Sequence, residues 1–214
     1  MEWFIRIKGE DVILNELSMI FDDKRIADIR KTDDGYFLLA DSFDQLSDDS
    51  LVYEEANKKI KLINGAIIKE LKSNNKINTD GLLIRQCGNV QHAYMHLSEN
   101  VNLIDCVHDN ITINGNNVIY EGKKRMNKLI SLASSDFHVA KVLRLLDNEL
   151  DWRNLYVICE VVLENVNKDK LNSWGVKREL ELFKHTANSV CATGDECRHG
   201  RETTSPPKLP MDIY

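Results

Sequence analysis

The chain has 214 residues, 43% hydrophobic and 29% charged, with three prolines and a net charge of −6. That length and balance suit a globular protein able to bury a sizeable core, and they exclude disordered and collagen-like chains. No run approaches the about 18 apolar residues of a membrane span, and the opening MEWFIRIKGED lacks a basic region followed by an apolar block. A cytoplasmic protein without a membrane partner is therefore expected. The negative surplus lies entirely before Lys124, and from Lys124 onward acidic and basic residues nearly balance. The acidic first part is a poor nucleic-acid surface, because phosphate neutralisation needs clustered Lys and Arg. Five scattered cysteines, Cys87, Cys106, Cys159, Cys191 and Cys197, are odd in number. They read as reduced thiols, two or three of them in the core.

In chain order, residues 2–8 alternate as a strand, with Trp3, Ile5 and Ile7 on one side. Ile13, Leu14, Leu17 and Ile20 keep helical spacing from Asp11 to Phe21. The stretches 25–30 and 36–40 flank Asp33-Asp34-Gly35, a hairpin turn signal. The best helix of this half is 51–71, with Val52, Ala56, Ile60 and Ile63 as its stripe and Asp48 or Asp49 as its cap. Strands are then expected at 81–86, 91–97, 102–108 and 118–120, with Asn114-Gly115-Asn116 as a turn.

From Gly122-Lys123-Lys124 the pattern is helical. Met126, Leu129, Ile130 and Ala133 mark one helix. Asp136 caps a second, with Val139, Val142, Leu143 and Leu146 inward. Asp151 caps a third, with Trp152, Leu155, Tyr156, Cys159 and Leu163 inward. A fourth carries Val176, Leu180, Phe183, Ala187 and Val190 on one face, three or four residues apart. The fold class is thus α+β, a small antiparallel sheet with a long helix followed by a helical bundle. The divisions are 1–122 for the α+β domain, 123–202 for the bundle and 203–214 for a Pro-rich extended tail.

Gly-rich phosphate loops, GxGxxG, the nucleophile elbow and HExxH are all missing, which sets nucleotide hydrolysis, dinucleotide redox chemistry and serine hydrolysis low. The densest reactive set follows the fourth helix. Arg198 and His199 place a permanent cation beside a group of the kind that titrates near neutrality. That pair suits RNA cleavage by 2′-hydroxyl attack, the Arg stabilising the phosphorane and the His moving the proton. Asn188 is a candidate positioning hydrogen-bonder. The same Arg and His also fit a helix end, bonding the last carbonyls and complementing the dipole. His185, Cys191, Cys197 and His199 form a weaker zinc candidate with spacing unlike the usual paired knuckles. Glu160 and Glu164, one turn apart with no Glu-x-x-His beside them, read as a solvated face. His92 and His96 share one strand face, and strand histidines of this kind are usually at the surface or hydrogen-bonded.

The segments LYVICEVVLE (155–164) and FKHTANSVCATGDECRHG (183–200) resemble the C-terminal region of helical proteins of the HEPN superfamily, of the abortive-infection type. The resemblance covers roughly the last ninety residues and implies a metal-independent endoribonuclease without cofactor, working as a homodimer in bacterial or phage-related defence. The resemblance carries the roles of the family's Arg and His onto Arg198 and His199, and Asn188, upstream of both, stays the candidate positioning residue. The chain departs from the family pattern in setting Arg198 and His199 side by side. The expected partners are RNA, a second copy, and a protein or trigger recognised by the first domain. The competing expectation is a non-enzymatic interaction module of a defence or toxin-antitoxin system, in which the same residues fasten the C-terminal tail to the bundle.

Overall fold

The computed structural model describes residues 2–88, 90–96, 116–199 and 204–213, with side chains of 116–123 and 168 left aside. The expected strand at 102–108, Cys106, and Asn114-Gly115 of the expected turn lie outside the described residues. The described chain divides into two compact units, Met1–Ser135 and Asp136–Tyr214.

The first unit is α+β. Its elements are β1 (Glu2–Lys8), α1 (Asp11–Ile20), β2 (Asp22–Asp23), β3 (Ala27–Thr32), β4 (Gly35–Leu39), α2 (Asp41–Asp44), α3 (Asp49–Leu71), β5 (Asn78–Cys87), β6 (Val90–Met95) and α4 (Asn116–Ala133). The strands form one six-stranded sheet in the order β2-β3-β4-β1-β5-β6, and each pairing is antiparallel. Alternation in β1 buries Trp3, Ile5 and Ile7. The β3–β4 hairpin closes with Thr32 opposite Gly35, and Gly35 takes φ 119°, which a side chain would strain. Helix α1 lies against β3, α3 against β5, and α4 against both helices. The apolar stripe of α3 (Val52, Ala56, Ile60, Ile63) is fully buried in that layer. Asp48 caps α3 by accepting from the Ser50 and Leu51 amides at 2.8 and 3.3 Å.

One sequence expectation fails here. Residues 118–120 are not a strand; they belong to α4, which begins at Asn116. The compact units divide after Ser135, where the sequence reading places a boundary at 122/123, and α4 packs with α1 and α3. Once the amphipathic run around Met126 and Ile130 is helical, each further residue adds a hydrogen bond without a new nucleus. The strand preference of Val118 and Ile119 is weaker than that gain.

The second unit contains α5 (Phe137–Leu146), α6 (Trp152–Asn165), α7 (Lys168–Ser173), α8 (Lys177–Ala187), α9 (Val190–Thr193) and a 3-10 turn at Gly194–Glu196. Asp136 and Asp151 cap α5 and α6 as expected. The short α7 has no apolar period to announce it; Asn167 caps it by accepting from the Lys170 amide at 2.8 Å. The fourth helix is shorter than its seam, for α8 stops at Ala187 and Val190 starts a separate turn. Asn188 turns its amide back onto the Lys184 carbonyl at 2.8 Å, and buried Ser189 donates to Thr204 at 3.2 Å. Short polar side chains of this kind compete with helical backbone bonds and end the helix.

Asn64, buried on α3, binds both backbone groups of Ile77: Ile77 donates to its Oδ1 at 2.9 Å and accepts from its Nδ2 at 3.0 Å. One amide thus replaces a strand partner just before β5. Asn64→Ala leaves both groups of Ile77 buried without a partner and should lower the unfolding free energy by about 1–3 kcal/mol for each. Urea denaturation followed by circular dichroism measures the loss.

Candidate functional site

The site is built on one face of α6. Arg153, Tyr156 and Glu160 fall three and four residues apart, so they line one stripe. The irregular segment 195–199 runs along this stripe and is held at both ends. Arg153 donates from Nε to the Cys197 carbonyl at 3.1 Å and from Nη2 to that of Asp195. The Arg198 and Cys197 groups both reach the last carbonyl of α8, that of Ala187, through the Arg198 amide at 2.9 Å and the Cys197 thiol at 3.5 Å. Cys197 is thereby buried.

The Arg198 guanidinium lies over the Tyr156 ring, 3.9 Å from its centroid, and donates from Nη2 to Glu160 Oε1 at 2.7 Å. Tyr156 belongs to an aromatic cluster with Trp152, Phe183 and Ala187, so the surface under the guanidinium is fixed by the core. Arg198 remains one-third exposed at its side chain, and His199 beside it is exposed. Arg198 and His199 therefore share one solvent-facing segment. Asn188 does not join them through a hydrogen bond, since its amide is spent on its own helix. Its Oδ1 is buried with no partner among the described residues.

Among the described residues the tail is fastened by side chains other than Arg198 and His199. His185 donates from Nε2 to the Ser205 carbonyl at 2.8 Å, Ser189 reaches Thr204, and Thr186 accepts from the Met211 amide at 3.2 Å. Met211 and Ile213 pack on the Trp152–Tyr156 cluster. Residues 204–213 are without helix or strand, as three prolines in this stretch require.

The zinc set does not assemble. Among the described residues no three His, Cys, Asp or Glu side chains come together to hold a metal ion. His185 is on the tail, Cys197 is on Ala187, and Cys191 is exposed. Cys159 is half-buried, and burial raises its thiol above the ordinary range, the charge of Lys184 opposing and that of Glu160 adding. In the first unit His92 is exposed, while His96 donates to Asp49 at 2.9 Å and stacks on Tyr53 at 4.6 Å. No helix among the described residues is long and apolar enough to cross a membrane.

Sequence reasoning singled out Arg198 and His199 by residue type, whereas it assigned Tyr156 to the core and Glu160 to a solvated face and did not use Arg153. Their signal was the stripe on α6, which periodicity alone assigns partly to core and partly to solvent. No family model matches the chain, and neither a curated protein nor a solved structure matches it.

Arg198→Ala removes an exposed ion pair and a cation–π contact on a buried-edge Tyr. Together these are worth about 1–2 kcal/mol. Thermal melting of the variant should show that loss, and an unchanged melt would mean the guanidinium does not hold the segment.

Proposed function

We propose that the second unit is an RNA-directed effector of the HEPN-like type, with Arg198 and His199 at the scissile phosphate. The observation that supports this reading is their placement: both face solvent, side by side, on a segment held by α6 and α8. A phosphodiester docked there meets a delocalised cation suited to its oxygens and an imidazole suited to proton transfer. In the reaction a neutral imidazole takes the proton from the ribose 2′-hydroxyl. The 2′-oxygen then attacks phosphorus, and the bond to the 5′-oxygen breaks. The products are a 2′,3′-cyclic phosphate and a 5′-hydroxyl, whose proton comes from an imidazolium or from water. Arg198 stabilises the charge that builds on the phosphorane oxygens. By the family resemblance, two copies would bring two such pairs together, and the first unit would bind a protein partner or trigger. The setting that the resemblance supports is bacterial or phage-related defence in the cytoplasm.

One observation favours a second reading, a non-enzymatic interaction module. Arg198 already has an anionic partner in Glu160 and an aromatic floor in Tyr156, which is how a purely structural arginine is held.

Purified protein incubated with structured and unstructured RNAs in the presence of a chelator separates the two. The effector reading expects cleavage to 2′,3′-cyclic phosphate ends, slowed by about 100-fold or more in His199→Ala with circular dichroism unchanged. Wild-type protein inert on every RNA would end that reading and leave the interaction module.

A further inference from the structure

We infer that Glu160 is a specificity-setting residue of this site, an internal carboxylate that a phosphodiester must displace from Arg198 in order to bind. The inference rests on the RNA-directed reading of Arg198. A guanidinium offers five N–H donors, and one of those on Arg198, at Nη2, is taken by Glu160 at 2.7 Å. Tyr156 covers one face of the same group. No other carboxylate pairs with Arg198 among the described residues, so Glu160 is its sole fixed anion there. Both members are substantially exposed, Arg198 by 33% and Glu160 by 50% of the side chain. An exposed pair of this sort is a weak competitor. A phosphate that engages two donors at once through two oxygens can replace it, whereas a monatomic anion such as chloride gains little by doing so. Tyr156 keeps the guanidinium in place while the exchange occurs, because its ring is anchored in the aromatic cluster rather than by Glu160. Glu160 therefore acts through Arg198 as a positioning residue and filters anions by denticity.

Glu164 supplies the control. It lies one turn further along α6, carries the same charge and is exposed, but makes no ion pair with Arg198.

The test is fluorescence anisotropy with a short fluorescein-labelled single-stranded 2′-O-methyl RNA, which binds without being cut. Full-length wild type, Glu160→Gln, Glu164→Gln, Arg198→Ala and the double variant Glu160→Gln/Arg198→Ala are titrated across a salt series. Glutamine keeps the shape and an acceptor at a half-exposed position, and circular dichroism checks each fold. Glu160→Gln should bind about two- to five-fold more tightly than wild type, the range set by an exposed pair. Its salt slope should steepen by up to about 0.7, because Arg198 then neutralises a phosphate with its full charge. Glu164→Gln should change far less, and Glu160→Gln should add nothing in the Arg198→Ala background. Binding by Glu160→Gln where wild type shows none would also support the inference.

Equal tightening by Glu160→Gln and Glu164→Gln, or a gain that persists without Arg198, would overturn it in favour of general surface charge. An unchanged Glu160→Gln beside a weakened Arg198→Ala would overturn it while leaving the RNA reading in place. Failure of every protein to bind would overturn the RNA reading, and the inference with it.

Discussion

The contact between the Arg198 guanidinium and the Tyr156 ring is what gives the end of the second unit a defined surface. Beyond the 3-10 turn the backbone of 197–199 has no helix or strand to fix it. Its position follows from side chains: Arg153 on two carbonyls, Cys197 and the Arg198 amide on Ala187, and the guanidinium on Tyr156 and Glu160. Tyr156, like Ala187, is itself part of the buried core cluster, so it ties a polar, solvent-facing segment to the rigid interior. A flat cation over an anchored ring loses little side-chain freedom when it meets an anion, which makes the placement useful for recognition as well as for stability.

The two units handle charge differently. In the first, several acidic side chains pair with cations on or beside the strands. Asp80 receives Arg6 at 2.6 Å and faces Lys8 at 3.4 Å, and Lys24 bridges Glu2 and Asp44 at 2.9 and 2.6 Å. Burial pushes the Asp80 carboxyl up, but the hydrogen bonds from Arg6 and the Leu82 amide and the two cations outweigh it and hold the group below its ordinary range. Stability from this contact is therefore present above the usual carboxylate range and fades as pH falls through the depressed value. In the second unit the basic groups on α6 and after α8 instead grip a segment that faces outward.

How much of this was legible in the sequence depended on which interaction decided each element. The long α3 and the caps at Asp48, Asp136 and Asp151 were legible because capping and apolar period are local. So was the hairpin at Asp33-Asp34-Gly35, whose turn chemistry is carried by the residues themselves. The α+β class followed from the change of period along the chain. The extent of α4 was not legible, because helix propagation from the run around Met126 and Ile130 outweighed the strand preference of the β-branched Val118 and Ile119. The end of α8 was missed because the apolar seam runs on to Val190 while Asn188 and Ser189 bond elsewhere. For the site, Arg198 and His199 stood out by residue type. Glu160 did not, since a carboxylate on a helix face looks solvated until a distant segment is seen to return to it.

The most direct test of this arrangement is the proton NMR shift of the Arg198 δ and ε groups in full-length protein, assigned by comparison with Arg198→Lys. A guanidinium over the Tyr156 face should carry an upfield ring-current shift that disappears in Tyr156→Leu. Shifts equal to those of a free arginine in the wild-type protein would contradict it, and the surface on which both functional readings stand would be lost.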